Sequence, residues 1–131
     1  MLILDENISG LEEAKLRRWR IRCRSIGEHL AVSGTDDADL IPLLLTLPRP
    51  TFCTHDQDFW EQPLQHPDYC LAWLDTEETE QERYIRAFLR RPDFDTHAKR
   101  LGKVVRVHAG GLTFYDSRHG KAKQAPWLRA V

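Results

Sequence analysis

Three short apolar runs punctuate the chain: LIL at its start, TFC in the middle and CLAWL further on, each closed by polar or turn-forming residues. Continuous rather than alternating apolar letters suit parallel strands covered on both faces, so LILD, PTFCTHD and CLAWLD are expected to be buried strands. IRCRSI alternates instead, as a strand with one solvated face does. Between these runs the period lengthens to that of a helix. In SGLEEAKLRRWR, Ser9 stands three residues before Glu12, the capping-box spacing, and Leu11, Ala14 and Trp19 are expected to turn inward. TDDADLIPLLLTLPRP has almost no polar face, since Leu40, Ile41, Leu43, Leu44, Leu45 and Leu47 crowd it, and reads as a helix enclosed by its neighbours. Pro42 is tolerated only in a first turn, which makes Asp39 or a residue just before it the expected cap, and Pro48 and Pro50 end the helix. TEETEQERYIRAFLRR follows, with Asp75 and Glu78 as capping residues, Tyr84, Ile85, Phe88 and Leu89 as its apolar stripe, and Pro92 as its stop.

Gly27 to Thr35 and DFWEQPLQHPDY read as irregular connections. KVVRVHA and LTFY flank Gly110 and Gly111, a pair suited to the positive φ values of a tight turn, so a C-terminal β-hairpin is expected. Strand and helix alternate through most of the chain. That pattern predicts an α/β fold with a mostly parallel central sheet flanked by helices.

Length changes the picture little: 131 residues fit one domain over 1–131, able to bury roughly 65 to 70% of its unfolded surface. No apolar run is long enough for a membrane helix. The start lacks the charged, apolar and small-residue segments of a secretory signal, so a cytoplasmic chain is expected. Cys23, Cys53 and Cys70 are odd in number and form no CxxC pair, which fits buried small residues better than disulfides or a thiolate zinc site. Charge is more informative. Residues 1–79 hold 15 acids against 7 bases and residues 80–131 hold 5 against 12, an asymmetry that suits an acidic site beside a basic, phosphate-attracting surface, or charges that merely solvate exposed faces.

The acids raise the chemical question. In an open parallel sheet the carboxyl ends of the strands share one edge, where ligand sites form. Asp5 and Glu6 end the first strand, Asp56 and Asp58 end or follow the TFCT strand, and Asp36, Asp37 and Asp39 stand at the start of a buried helix, so the three groups are expected to converge. Unit charges ~4–5 Å apart repel by roughly 3–4 kcal/mol at a protein's effective dielectric, so gathered carboxylates need protons or cations. An all-oxygen set selects Mg²⁺ or Mn²⁺ over Zn²⁺. Taken singly, an aspartate at a strand end or helix start is more often a turn former or cap, and one of Asp36, Asp37 and Asp39 is expected to cap. Asp5 and Glu6 point to opposite faces of an extended chain, and Asp5 is the favoured member.

LILDEN, the acidic helix onset TDDADLI and THDQDF after a buried strand resemble the PIN-domain nucleases, in particular short PIN-like proteins related to VapC-type toxins. The resemblance covers residues 1 to about 60. It implies a metal-dependent ribonuclease with one or two Mg²⁺ or Mn²⁺ ions, in which Asp5, Asp37 or Asp39, Asp56 and Asp58 correspond to the family's acids. Asn7 and Thr54 match its small polar positions beside the metals. It further implies cleavage of RNA to 5′-phosphate and 3′-hydroxyl ends, an antitoxin as partner and a homodimer as a common assembly. Basic residues would bind substrate, either Lys15, Arg17, Arg18 and Arg20 or the later set Arg83, Arg86, Arg90, Arg91, Lys99, Arg100, Lys103 and Arg106. Trp60, Trp73 and Trp19 read as core, His55 carries no assigned chemistry, and Glu82 and Arg86 are spaced for a helical ion pair.

Two other readings compete. A response-regulator receiver would use Asp5, Glu6 and Asp56, with Thr76 after the fourth strand, but Lys103 precedes VVRV where a receiver needs a lysine after it. A non-catalytic PIN-like protein would act only by binding a partner.

Overall fold

The computed structural model describes residues 1–26, 37–60, 66–118 and 120–131, with the backbone alone at Asp37, Ala38 and Asp58. The loop expected over Gly27 to Thr35 therefore lies outside the described residues, as does Asp36.

The continuous apolar runs are strands buried on both sides. β1 (Leu2–Leu4), β3 (Thr51–Thr54) and β4 (Cys70–Asp75) lie in the middle of one sheet, where all but the last residue of β4 are buried. β2 (Cys23–Ser25) alternates buried, exposed, buried, as its sequence predicts for a strand with one solvated face. The sheet order is β2-β1-β3-β4-β5-β6-β7, in which β5 spans Lys103–His108, β6 Gly111–Asp116 and β7 Lys123–Pro126. The first five strands are parallel. β5, β6 and β7 then pair antiparallel. The molecule is thus an α/β structure with a seven-stranded, mostly parallel sheet flanked by helices, and its parallel part has the 2-1-3-4-5 order of one of the two common doubly wound arrangements.

Strand side chains alternate between two cores. Leu2, Leu4, Cys53, Cys70, Ala72, Leu74, Val105 and Val107 face the helices α1 (Gly10–Arg18) and α3 (Gln81–Arg90), which contribute Leu16, Tyr84, Ile85 and Phe88. Ile3, Phe52, Leu71 and Val104 face α2 (Asp37–Thr46) and a 3₁₀ turn over Gln57–Trp60. A last short helix, α4 (His97–Arg100), begins at Thr96, whose hydroxyl accepts the Lys99 N–H. Phe94 anchors the first core, with its ring 5.5 Å from Phe88 and 5.0 Å edge-on from Phe114. Cys23, Cys53 and Cys70 are free and buried.

α1 departs from expectation. Ser9 caps it, accepting the Glu12 N–H at 3.3 Å, but the inward residues are Glu12, Glu13 and Leu16, whereas Leu11 is 78% exposed, Trp19 51% exposed, and Ala14 faces solvent. The reason is a contact between helices. Glu12 Oε1 accepts the Glu82 N–H at 3.1 Å, satisfying one of the unpaired amides at the start of α3, while Lys15 holds Oε2 at 2.6 Å. Trp19 instead lies outside, under the guanidinium of Arg86 at 4.0 Å.

α2 is less enclosed than its leucines suggest. Leu40 and Leu44 are buried, Ile41, Leu43 and Leu47 are partly so, and Leu45 is exposed. Pro42 stands inside the helix, and Asp39 is a helical residue rather than the cap. Asp75 does not cap α3 either. Its carboxylate accepts both Nε and Nη2 of Arg106, at 2.9 and 2.7 Å, and a 3₁₀ turn over Glu78–Glu80 leads into α3.

Candidate functional site

Neighbouring strands β1 and β3 run parallel, and their onward connections leave to opposite sides of the sheet, since β2 lies beyond β1 and β4 beyond β3. This is the switch point of a doubly wound sheet, where the two connections diverge and leave a crevice at the carboxyl edge. Both strands end there in polar residues.

Asp5 follows β1 and continues its ladder, donating its N–H to the Cys53 carbonyl at 2.9 Å. Its side chain is only 7% exposed, whereas Glu6 faces solvent, the division expected for adjacent residues on extended chain. The chain turns at once, with Ile8 N–H donating to the Asp5 carbonyl, and this brings Asn7 back over the aspartate. Asp5 Oδ1 accepts the Glu6 N–H at 2.8 Å. Oδ2 accepts the Thr54 hydroxyl at 2.7 Å and the Asn7 amide at 3.1 Å.

Thr54, the fully buried last residue of β3, is the hub. Its hydroxyl donates to Asp5 and accepts from Asn7 Nδ2 at 3.2 Å and from the Asp56 N–H at 3.1 Å, which uses its single proton and both lone pairs. Asn7 Oδ1 accepts the His55 N–H at 3.0 Å, so the amide is oriented at both ends. Asp56, half-buried, opens the 3₁₀ turn by accepting the Phe59 N–H on its carbonyl. The His55 ring turns away and donates from Nε2 to the Thr76 carbonyl at 2.9 Å beyond β4.

The structure thus brings Asp5, Asn7, Thr54 and Asp56 into one hydrogen-bonded group. Asp39 is not joined to it: the residue is exposed on α2, and no described contact links the two. Asp37 begins α2 and Asp58 lies within the 3₁₀ turn, and their side chains are outside the described residues. Among the described residues, no group of three or more His, Cys, Asp or Glu side chains stands together. The described part of the cluster is therefore one buried carboxylate, that of Asp5, tied through the Thr54 hydroxyl to the main chain of Asp56, rather than the three or four carboxylates expected to converge.

The donor set suits a hard cation. Mg²⁺ typically binds through one or two carboxylates and keeps several waters, and Asp5 and Asp56 are oxygen donors flanked by oriented hydroxyl and amide groups. The backbone of His55 is the member that sequence reading misses, because a main-chain N–H carries no residue-type signal.

Most of the basic residues proposed to bind substrate have structural partners. Lys15 and Arg17 pair with Glu12 and Glu13, Lys99 with Asp95, Lys103 with Asp116, and Arg106 with Asp75. Arg100 donates to Thr51 Oγ1 and the Phe94 carbonyl. Arg86 pairs with Glu82 at 3.3 Å. Comparison of the chain with protein-family models, with curated proteins and with solved structures gives no match.

Proposed function

We propose that the chain is a PIN-like, Mg²⁺- or Mn²⁺-dependent endoribonuclease acting at the β1/β3 crevice, as the toxin of a toxin–antitoxin pair. The observation that carries this reading is the Thr54 hydroxyl, which binds the Asp5 carboxylate and the Asp56 main chain together at the switch point of the sheet. In this reading Asp5 and Asp56 hold the cation, with Asp37 and Asp58 as further ligands. A divalent ion bound there supplies a Lewis acid for the phosphodiester and a polarised water for attack. The chain's part is positioning. Thr54 fixes the Asp5 oxygen it binds, Asn7 ties the β1 turn to His55 of the other strand, and the burial of Asp5 keeps competing water from one side of the carboxylate.

The receiver alternative shares the strand order but lacks its lysine. Lys103 is the first residue of β5, at the amino end of the strand rather than its carboxyl end, and is bound to Asp116 at 3.2 Å. Calorimetric titration with Mn²⁺ and an RNA cleavage assay on the same samples of wild type and Asp5→Asn test the proposal. Wild type is expected to bind the ion and cleave, and the variant to lose both. Equal cleavage by the two proteins, or cleavage that survives a chelator, refutes it.

A further inference from the structure

A groove of about 540 Å³ runs between α3 and the C-terminal segment, on the helical side that carries the first core. Five arginines line it: Arg83, Arg86, Arg90, Arg91 and Arg129. They are not equivalent. Arg91 is largely buried and serves the fold, bonding Asp93 and the Pro126 carbonyl. Arg86 is engaged with Glu82 and stacked on Trp19. Arg83, paired with Glu80, is nearly half exposed. Arg90 and Arg129 are exposed and have no ion pair among the described residues. Arg83 and Arg90 are seven residues apart on one face of α3, about 10 Å along its axis, so with Arg129 opposite they present a row of guanidinium groups rather than a single point charge.

Aromatic groups accompany the charge. Trp127 lines the groove, its indole held by a 2.8 Å bond from Nε1 to the His108 carbonyl and tilted against Tyr84 at 6.1 Å. Trp19 lies beside it beneath Arg86 and Arg90, with half its surface open to solvent. A guanidinium stacked on an indole keeps its N–H edge free for a phosphate, and an anchored indole offers a face to a base. An acidic peptide would use the arginines but has no need of the rings. The helix that lines the groove is joined to the helix that follows Asn7, since Glu82, next to Arg83, donates its N–H to Glu12.

The geometry points to this groove as a binding track for single-stranded RNA, with Arg83, Arg90 and Arg129 on phosphates and the tryptophans beside the bases. The assignment deepens the nuclease reading, on which the choice of RNA rests. The track holds the strand, and the β1/β3 crevice acts on it.

Binding of a fluorescein-labelled single-stranded RNA to the full chain carrying Asp5→Asn, followed by anisotropy from about 50 to 200 mM salt, tests this independently of cleavage. Three phosphate contacts predict a slope of log affinity against log salt of about −2, falling to about −0.7 when Arg90→Ala and Arg129→Ala are added, with affinity at low salt down about tenfold. Both arginines are exposed, so the urea midpoint should not move. Unchanged affinity and slope in the arginine variant overturn the proposal, as does displacement of the RNA by a polyglutamate peptide of equal charge. Loss of binding in the arginine variant alongside a wild type that does not cleave RNA would keep the groove and discard the nuclease.

Discussion

At the carboxyl ends of β1 and β3, the Asp5 carboxylate is held by the Glu6 N–H, the Asn7 amide and the Thr54 hydroxyl, whereas further along the sheet Asp75 of β4 meets Arg106 of β5 and Asp116 of β6 meets Lys103 of β5. Neutral donors fix the direction of a carboxylate without cancelling its charge; a guanidinium or ammonium does both. The second kind of contact locks strands together. The first fixes the direction of the Asp5 oxygens, which is what a cation site requires. The same contrast holds for the backbone, since β1 and β3 run out into polar turns while β6 and β7 approach closely at Gly111.

That closeness gives the largest expected effect. Gly111 begins β6 at φ +139°, and a Cβ there would stand 2.7 Å from Pro126 Cα and overlap the Ala125 carbonyl of β7. Gly111→Ala should cost about 3 kcal/mol or more, visible as a lowered urea midpoint, and a midpoint within error of wild type would show that β7 can yield. Next, Asp5→Asn should lower RNA cleavage about 100-fold, some 2.7 kcal/mol of barrier, and cost about 1–3 kcal/mol of stability, because an amide nitrogen cannot accept from the donors that the carboxylate serves on both oxygens. Thr54→Val sharpens the contrast, for it keeps the shape but removes a donor to Asp5 Oδ2 and the hydroxyl that accepts the Asp56 N–H. A loss of about 1–3 kcal/mol in stability is expected, together with a 10- to 100-fold loss in activity.

Asp75→Asn should matter far less. Both partners of that ion pair are roughly 40% exposed, and screening limits such pairs to about 1 kcal/mol or less. The smallest effect concerns His108. Its Nδ1 accepts the Gly110 N–H and its Nε2 donates to Thr113 Oγ1, and burial, with help from Arg106 and against Asp75, lowers its pKa. The folded state therefore favours the neutral ring, and the unfolded chain takes up the proton first as pH falls. The contribution is complete above the unfolded value of about 6.5 and declines below it. Urea midpoints of wild type and His108→Gln at pH 7.5 and 5 should show the smaller acid loss in the variant.

The strands β1, β3 and β4 were legible because burial on both faces leaves an apolar run with no phase to misjudge. The stripe of α3 was legible too, with Tyr84, Ile85 and Phe88 buried, but the faces of α1 and α2 were not, for two different reasons. In α2 a surplus of leucines erases the phase, and only packing decides that Leu40 and Leu44 face the sheet while Leu45 does not. In α1 the periodic rule itself misleads, because Glu12 is drawn inward by an amide 70 residues away and Trp19 outward by arginines of α3. Within the candidate site, Asp5, Asn7, Thr54 and Asp56 could be named from two short motifs, since each is carried to the same edge by its own strand. Asp75 and its arginine could not, because their pairing depends on the register of β4 against β5.

Burial raises the pKa of all three thiols, that of Cys70 to about 12 and that of Cys53 further still. Thiolate is the reactive form, so alkylating reagents should ignore these sulfurs until the central strands part. Cys53 on β3 and Cys70 on β4 are thus native reporters of global opening, and pulsed labelling followed by mass measurement can time it without any probe being introduced.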